Sequence, residues 1–126
     1  MSQLASSNVD VVLNFIAAWN ARDLDAIAGA LAPDVVYHNI PMEPLQGRER
    51  IREAFAPMLQ ACSQIEWRVH NVAQTASGAV LTERTDDFHM NGKHISLPVM
   101  GTFEIEDGLI TAWRDYFDLQ QYQRQL

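Results

Sequence analysis

Cysteine is almost absent: Cys62 stands alone, so no disulfide can form within the chain. Such sparse cysteine fits a reducing compartment, and a cytoplasmic protein is expected. No apolar run approaches the length of a bilayer-spanning helix. The opening residues, MSQLASSNVD, lack a basic segment followed by an apolar one, so a secretory leader is not expected. Basic residues are few, nine Lys and Arg against sixteen Asp and Glu, for a net charge of −7. That balance argues against nucleic acid or an anionic membrane as partner. The sequence has no Walker loop, dinucleotide fingerprint, G-x-S-x-G nucleophile elbow or Cys/His zinc spacing. It has no internal repeat, low-complexity tract or linker. What is left is 126 residues, 48% of them apolar and 20% charged, read as one domain over 1–126 with a single substantial core.

The first half of the chain reads as helix. Val9, Val12, Leu13, Ile16 and Trp19 recur at helical spacing over residues 7–21, with Ser6 or Ser7 as the cap. Asp23 can cap a short second helix over 24–31, which Pro33 closes from beyond its end. Residues 35–40 read as a strand, followed by the turn-rich IPMEPLQG. A third helix follows Gly47, with Ile51, Phe55, Met58, Leu59 and Cys62 as its apolar stripe and a kink or early end expected at Pro57. From Ile65 the period changes to two. IEWRVHNVAQT, AVLTERTDDFHM, HISLPVMGTFEIE and LITAWRDYFDL read as antiparallel strands joined by turns at ASG, NG and EDG. Asp118 can cap a final helical turn. The order implies an α+β fold, a curved sheet folded over N-terminal helices.

The turns set a register. Asn91-Gly92 predicts a two-residue turn that pairs Met90 with Lys93, Phe88 with Ile95, Asp86 with Leu97 and Arg84 with Val99. Glu106-Asp107-Gly108 reads as a three-residue loop, which pairs Ile105 with Leu109, Gly101 with Trp113 and Val99 with Asp115. Arg84, Val99 and Asp115 then share a row, and Asp86, Leu97 and Phe117 share the next. Phe88, Ile95, Phe103 and Trp113 join them on the buried face. Arg84 and Asp115 stand two strands apart, roughly 10 Å between backbones, which an arginine can largely span. A two-residue second turn would send Asp115 to the other face. In VVYHNIP, Tyr37 and Asn39 share a face, but the sequence does not place that strand beside the others.

The cluster has two readings. Asp86, Arg84 and Asp115 can be a buried ion-pair network that only fixes the core. Apolar replacements of such networks are often neutral or stabilising, so stability alone is a poor reason to keep one. Two carboxylates in an apolar cleft are also the equipment of acid–base chemistry. Tyr37 and Asn39, taken alone, read as strand residues with local hydrogen bonds. His89 and His94 face each other on the outer side with only Asp87 nearby, too few ligands for a metal site. His38 and His70 read as isolated, and Cys62 as core.

Three segments resemble the limonene-1,2-epoxide hydrolase family, within the larger group of folds like nuclear transport factor 2 and the SnoaL-type cyclases. YHNIP resembles its Tyr-x-Asn element at Tyr37 and Asn39. LTERTD resembles its Arg-x-Asp element at Arg84 and Asp86. GLITAWRDYFDL resembles the segment carrying a second aspartate, Asp115. The resemblance covers most of the chain. The tight Asn91-Gly92 hairpin, Pro57 and Pro98 depart from it, where a pocket's shape is set. It implies a cone-like curved mixed sheet, a homodimer, and hydrolysis of an epoxide without metal or organic cofactor. Asp115 is implied as general base, holding a water with Tyr37 and Asn39. Asp86 is implied as the protonated acid, with Arg84 bridging the two. Phe88, Leu97, Val99, Trp113 and Phe117 would line the pocket for a hydrophobic cyclic epoxide. Other enzymes on this fold, of the ketosteroid-isomerase or polyketide-cyclase kind, and a non-catalytic small-ligand binder are the alternatives.

Overall fold

A computed structural model describes residues 7–126; the alternative cap Ser6 lies outside them. Helix α1 (Asn8–Asn20) starts at Ser7, whose hydroxyl accepts from the Asp10 N–H. It buries Val12, Phe15, Ile16 and Trp19. Helix α2 (Leu24–Gly29) is capped by Asp23, which accepts from the Ala26 N–H. It is shorter than the sequence implies. Leu31 already opens strand β1 (Leu31–Asn39), and Pro33 lies inside that strand rather than beyond a helix. A two-residue strand, β2 (Leu45–Gln46), hides in the turn-rich segment and pairs with β1. Helix α3 (Arg48–Ala61) runs four residues past Pro57 instead of ending there. Cys62 is not on its stripe but opens strand β3 (Cys62–Gln74).

Strands β4 (Val80–Met90), β5 (Lys93–Glu106) and β6 (Leu109–Tyr116) complete a six-stranded sheet in the order β2-β1-β6-β5-β4-β3. Only β1 and β6 run parallel, so the sheet is mixed. The α+β reading, a curved mixed sheet packed on N-terminal helices, is the fold observed. Asp118 caps the short α4 (Leu119–Gln123) by accepting from the Gln121 N–H. No helix among the described residues is long and apolar enough to cross a membrane.

The β4–β5 register is the one the Asn91-Gly92 turn dictates, from Met90↔Lys93 to Arg84↔Val99. Both central residues have positive φ, 54° and 78°, as a type I′ turn requires. The β5–β6 register differs from expectation. Its turn is also two residues long: Glu106 pairs with Leu109 across Asp107 and Gly108, whose φ values are 51° and 79°. That turn alone would send Asp115 to the outer face. A β-bulge restores it. Ile105 pairs with Ile110 but Glu104 with Ala112, so Thr111 is an extra residue on β6. The Thr111 hydroxyl donates to the Glu104 carbonyl at 3.2 Å, pinning the bulge. Asp115 therefore faces inward opposite Gly101, not opposite Val99, and Trp113 lies opposite Phe103.

Between helices and sheet lies an aromatic core. Phe15 meets Trp113 edge-on at 5.0 Å, Trp19 stacks on Trp67 at 4.7 Å, and Tyr37 stacks on Trp113 at 4.0 Å.

Candidate active site

Arg84 and Asp86 alternate on β4, so both point to the core side of the sheet. Asp115 does the same from β6, two strands away. All three are buried, with Arg84 only 1% exposed. An unpaired charge would be untenable there, and the pairing is complete. Arg84 Nε donates to Asp86 Oδ1 at 3.0 Å and Nη2 to Asp86 Oδ2 at 2.9 Å. Nη1 and Nη2 donate to Asp115 Oδ1 and Oδ2 at 3.3 and 3.1 Å. The last guanidinium hydrogen, on Nη1, goes to the Thr82 hydroxyl at 3.1 Å. All five donors of the guanidinium are thus in use. Its flat face lies over the Trp67 ring, 4.7 Å from the centroid.

The strand positions explain how the guanidinium crosses β5. Thr82, Gly101 and Asp115 form one row across β4, β5 and β6. A Cβ on Gly101 would collide with Arg84 Nη1 and sit 2.7 Å from Asp115 Oδ1 and 3.0 Å from Thr82 Oγ1. The glycine leaves the gap through which Arg84 reaches Asp115.

Strand β1 supplies the other polar pair. Its parallel pairing sets Tyr37 beside Trp113 and Asn39 beside Asp115. The Tyr37 hydroxyl donates to Asn39 Oδ1 at 2.7 Å. This orients the Asn39 amide group, leaving its N–H donors for something else near Asp115. Burial, and then the charge of Asp115, holds the Tyr37 phenol well above its ordinary range, so it remains a donor.

The two charges of opposite sign respond differently to burial. Burial pushes the Asp86 carboxyl up, Arg84 pulls it down, and the charges of Asp115 and Asp87 push it up again; the outcome is about 6. Burial works against the Arg84 cation, but Asp115 and Asp86 outweigh it, and Arg84 is held more firmly charged than an ordinary arginine. Two adjacent carboxyls on one cation, one of them titrating near 6, can hold a proton and a negative charge side by side at near-neutral pH.

Tyr37, Asn39, Asp86 and Asp115 line one cavity of about 150 Å³, with Arg84 behind its wall. Phe88, Leu97, Val99, Trp113 and Phe117 line it too, as the sequence led us to expect. Sequence reasoning missed Trp19, Phe55 and Met58 from the helices, Met42, Trp67 and Tyr122. Trp67 had a signal, since it alternates with Ile65 and Val69 toward the core. Gly101, inside an apolar strand, was a second. Met42 and Tyr122 lie in a loop and a terminal helix whose docking no local pattern reveals. On the outer face, His89 and His94 stack at 4.4 Å, and His94 Nε2 lies 3.4 Å from Asp87 Oδ1. Asp87 also pairs with Arg68. Among the described residues no three His, Cys, Asp or Glu side chains converge as a metal site.

Comparison with known proteins points the same way. Residues 6–126 match the family model of the limonene-1,2-epoxide hydrolase catalytic domain. Epoxide hydrolase EphG of Mycobacterium tuberculosis (strain ATCC 25618 / H37Rv) is 36% identical over 105 residues, 83% of this chain and 69% of that protein. A solved structure of an M. tuberculosis LEH-like epoxide hydrolase is 34% identical, with a TM-score of 0.84 over 94% of this chain and 88% of that one. A putative isomerase from Bacillus subtilis superposes with the same TM-score of 0.84, over 94% and 91% of the chains, at 16% identity. That likeness is one of fold alone.

Proposed function

The chain belongs to the limonene-1,2-epoxide hydrolase family, and on that premise we propose that it adds water to a small hydrophobic epoxide in one step, giving a trans vicinal diol. The observation that carries this reading is Arg84, four of whose five N–H donors tie Asp86 and Asp115 together at the wall of an apolar cavity.

In this mechanism Asp115 is the general base. Water gives one proton to Asp115 while the Asn39 amide donates to its oxygen and the Tyr37 hydroxyl oxygen accepts its second hydrogen. The Tyr37 O–H···Asn39 bond sets both groups for that task. Asp86, protonated, donates to the epoxide oxygen as the C–O bond breaks. An alkoxide is a poor leaving group, so this proton transfer is the main service required. Attack opposite the breaking bond gives the trans product. Arg84 offsets the charge that passes between the carboxyls. A cavity of about 150 Å³ suits a compact ring; an apolar cavity of about that size holds benzene in another protein. Cyclohexene oxide and monocyclic terpene oxides are the substrate class. An isomerase would use one carboxylate base and leave the second carboxylate and its bridge without a task.

The test is diol formation from cyclohexene oxide and limonene oxide. Asp86→Asn and Asp115→Asn should each lower turnover by roughly 10²–10⁴-fold, the worth of a positioned acid or base. A single turnover in oxygen-18 water should label the diol at once. Unlabelled first product would indicate an ester on Asp86 or Asp115 and sink the one-step mechanism.

The reading includes a homodimer. Leu81, Met100 and Tyr116 are exposed, side by side on the outer face of the sheet, an apolar patch suited to a second copy. Light scattering at micromolar concentration should give twice the chain mass; a monomer would remove this element of the proposal.

A further inference from the structure

The two carboxylates share Arg84 evenly in number. Each accepts two of its hydrogen bonds, Asp86 at 3.0 and 2.9 Å and Asp115 at 3.3 and 3.1 Å. The shorter pair belongs to Asp86. Arg84 alone therefore favours the negative charge on Asp86, the wrong member for the mechanism proposed above. Something else must decide which carboxyl keeps the proton.

One further donor breaks the tie. The Trp113 indole N–H donates to Asp115 Oδ1 at 3.0 Å. An indole nitrogen donates and never accepts. It can satisfy itself on Asp115 only if Oδ1 offers a lone pair. Oδ1 then serves both Trp113 and Arg84 Nη1, which fills it, and Oδ2 serves Arg84 Nη2. One lone pair is left on Oδ2, enough for a water but with little room for a bound proton. Asp86 keeps a free lone pair on each oxygen among the hydrogen bonds of the described residues. The indole cannot turn away. It is 1% exposed and held between the Tyr37 ring at 4.0 Å and the Phe103 ring at 5.9 Å, with Phe15 edge-on at 5.0 Å.

We propose that Trp113 is a positioning residue that assigns the two carboxyl roles: its N–H holds Asp115 as the charged base and leaves the proton on Asp86. This goes beyond its place in the apolar lining, and its catalytic consequence rests on the hydrolase reading. The titratable groups around Asp115 are Arg84 and Asp86 of β4, Tyr37 of β1 and Tyr122 of α4. Neither tyrosine ionises in the range of the test, since burial raises both.

Two replacements separate the N–H from the ring. Trp113→Phe removes it and shrinks the side chain. Benzothienylalanine at position 113 replaces the N–H with sulfur and keeps the ring's shape, so it serves where the phenylalanine variant folds poorly. With cyclohexene oxide, the low-pH limb of kcat should move up by about one pH unit, the size of a lost hydrogen bond to a charged group. An unmoved limb with a lower kcat or lower stability would reduce Trp113 to a packing residue and overturn the proposal.

A second readout does not need turnover. In an Asp86→Asn background Asp115 is the remaining cavity carboxyl, and infrared spectroscopy distinguishes its acid from its carboxylate form. The pH at which the acid band appears should rise by about one unit when benzothienylalanine replaces Trp113. No rise would overturn the proposal. A wild-type protein that opens no epoxide would refute the hydrolase reading, while the infrared shift would still decide the role of Trp113.

Discussion

Asp86 is the residue whose protonation the fold controls most visibly. Burial first, then the charges of Asp115 and Asp87, raise its carboxyl from the ordinary carboxylate range to about 6 against the pull of Arg84. As the acid of the reaction it must carry its proton, so kcat/KM should fall as pH rises through about 6 in the free enzyme. Stability moves in the same direction. The folded state holds this proton more tightly than the unfolded chain, so stability declines as pH rises from about 4 to 6. The whole loss, roughly 3 kcal/mol for a shift of about two units, is present above pH 6 and absent below about 4. Urea unfolding of wild type and Asp86→Asn at pH 4 and pH 7 measures it: the variant should gain on the wild type at the higher pH. Tyr37→Phe should keep the fold and lose roughly 10-fold or more in kcat, since it removes the hydroxyl that orients Asn39 and would accept from the water.

Strand β5 matters as much for what it omits as for what it carries. Gly101 stands between Thr82 and Asp115, under the guanidinium. Gly101→Ala puts a methyl 2.7 Å from Asp115 Oδ1 and against Arg84 Nη1. Neither atom ends a flexible chain free to retreat, because each is held by hydrogen bonds. The variant should lose roughly 1–3 kcal/mol by chemical denaturation and about 10²-fold in kcat as the bridge is displaced. Strand β6 owes its orientation to Thr111. Deleting Thr111 removes the bulge together with its extra residue, so Ile110 and Ala112 become neighbours opposite Ile105 and Glu104, while Trp113 stays opposite Phe103 and Asp115 opposite Gly101. Such a variant should keep its native near-UV tryptophan signal and its activity; loss of both would show that the bend at the bulge, and not only the inward parity it restores, is needed.

Across the whole molecule, the cavity is assembled from parts distant in sequence. Met42 comes from the loop after β1, Phe55 and Met58 from α3, and Tyr122 from α4. One side chain ties the C-terminal end to the sheet. Gln125 accepts from the Ser96 N–H at 2.8 Å and donates to the Ser96 carbonyl at 2.9 Å, adding a pair of strand-like bonds to β5. Its amide also reaches the Gln121 carbonyl at 3.0 Å. Gln125→Ala should cost roughly 1–3 kcal/mol. Because Tyr122 then loses its anchor, KM for cyclohexene oxide should rise more than kcat falls, a split that steady-state kinetics reads directly.

Alternation and turn chemistry were enough to set Arg84, Asp86, Phe88, Leu97 and Val99 on one inward face, because Asn91-Gly92 admits essentially one tight turn. They were also enough to separate Asp115 from Arg114 and Tyr116. The reason inferred for Asp115 was incorrect, however: a two-residue turn and a bulge leave the same parity as a three-residue loop. A bulge depends on how two strands coil against their neighbours, and nothing local to Thr111 announces it. The parallel β1–β6 pairing could not be read either, since it joins segments more than seventy residues apart through contacts that exist only once the sheet is closed. By itself, then, the sequence determined which residues could be acid, base and bridge, because side-chain chemistry and strand period are local properties. Only the tertiary structure decided that Tyr37 and Asn39 join them, that Asp115 lies opposite a glycine, and that an indole N–H distinguishes one carboxylate from the other. Those are relations between strands, and they arise only where the strands meet.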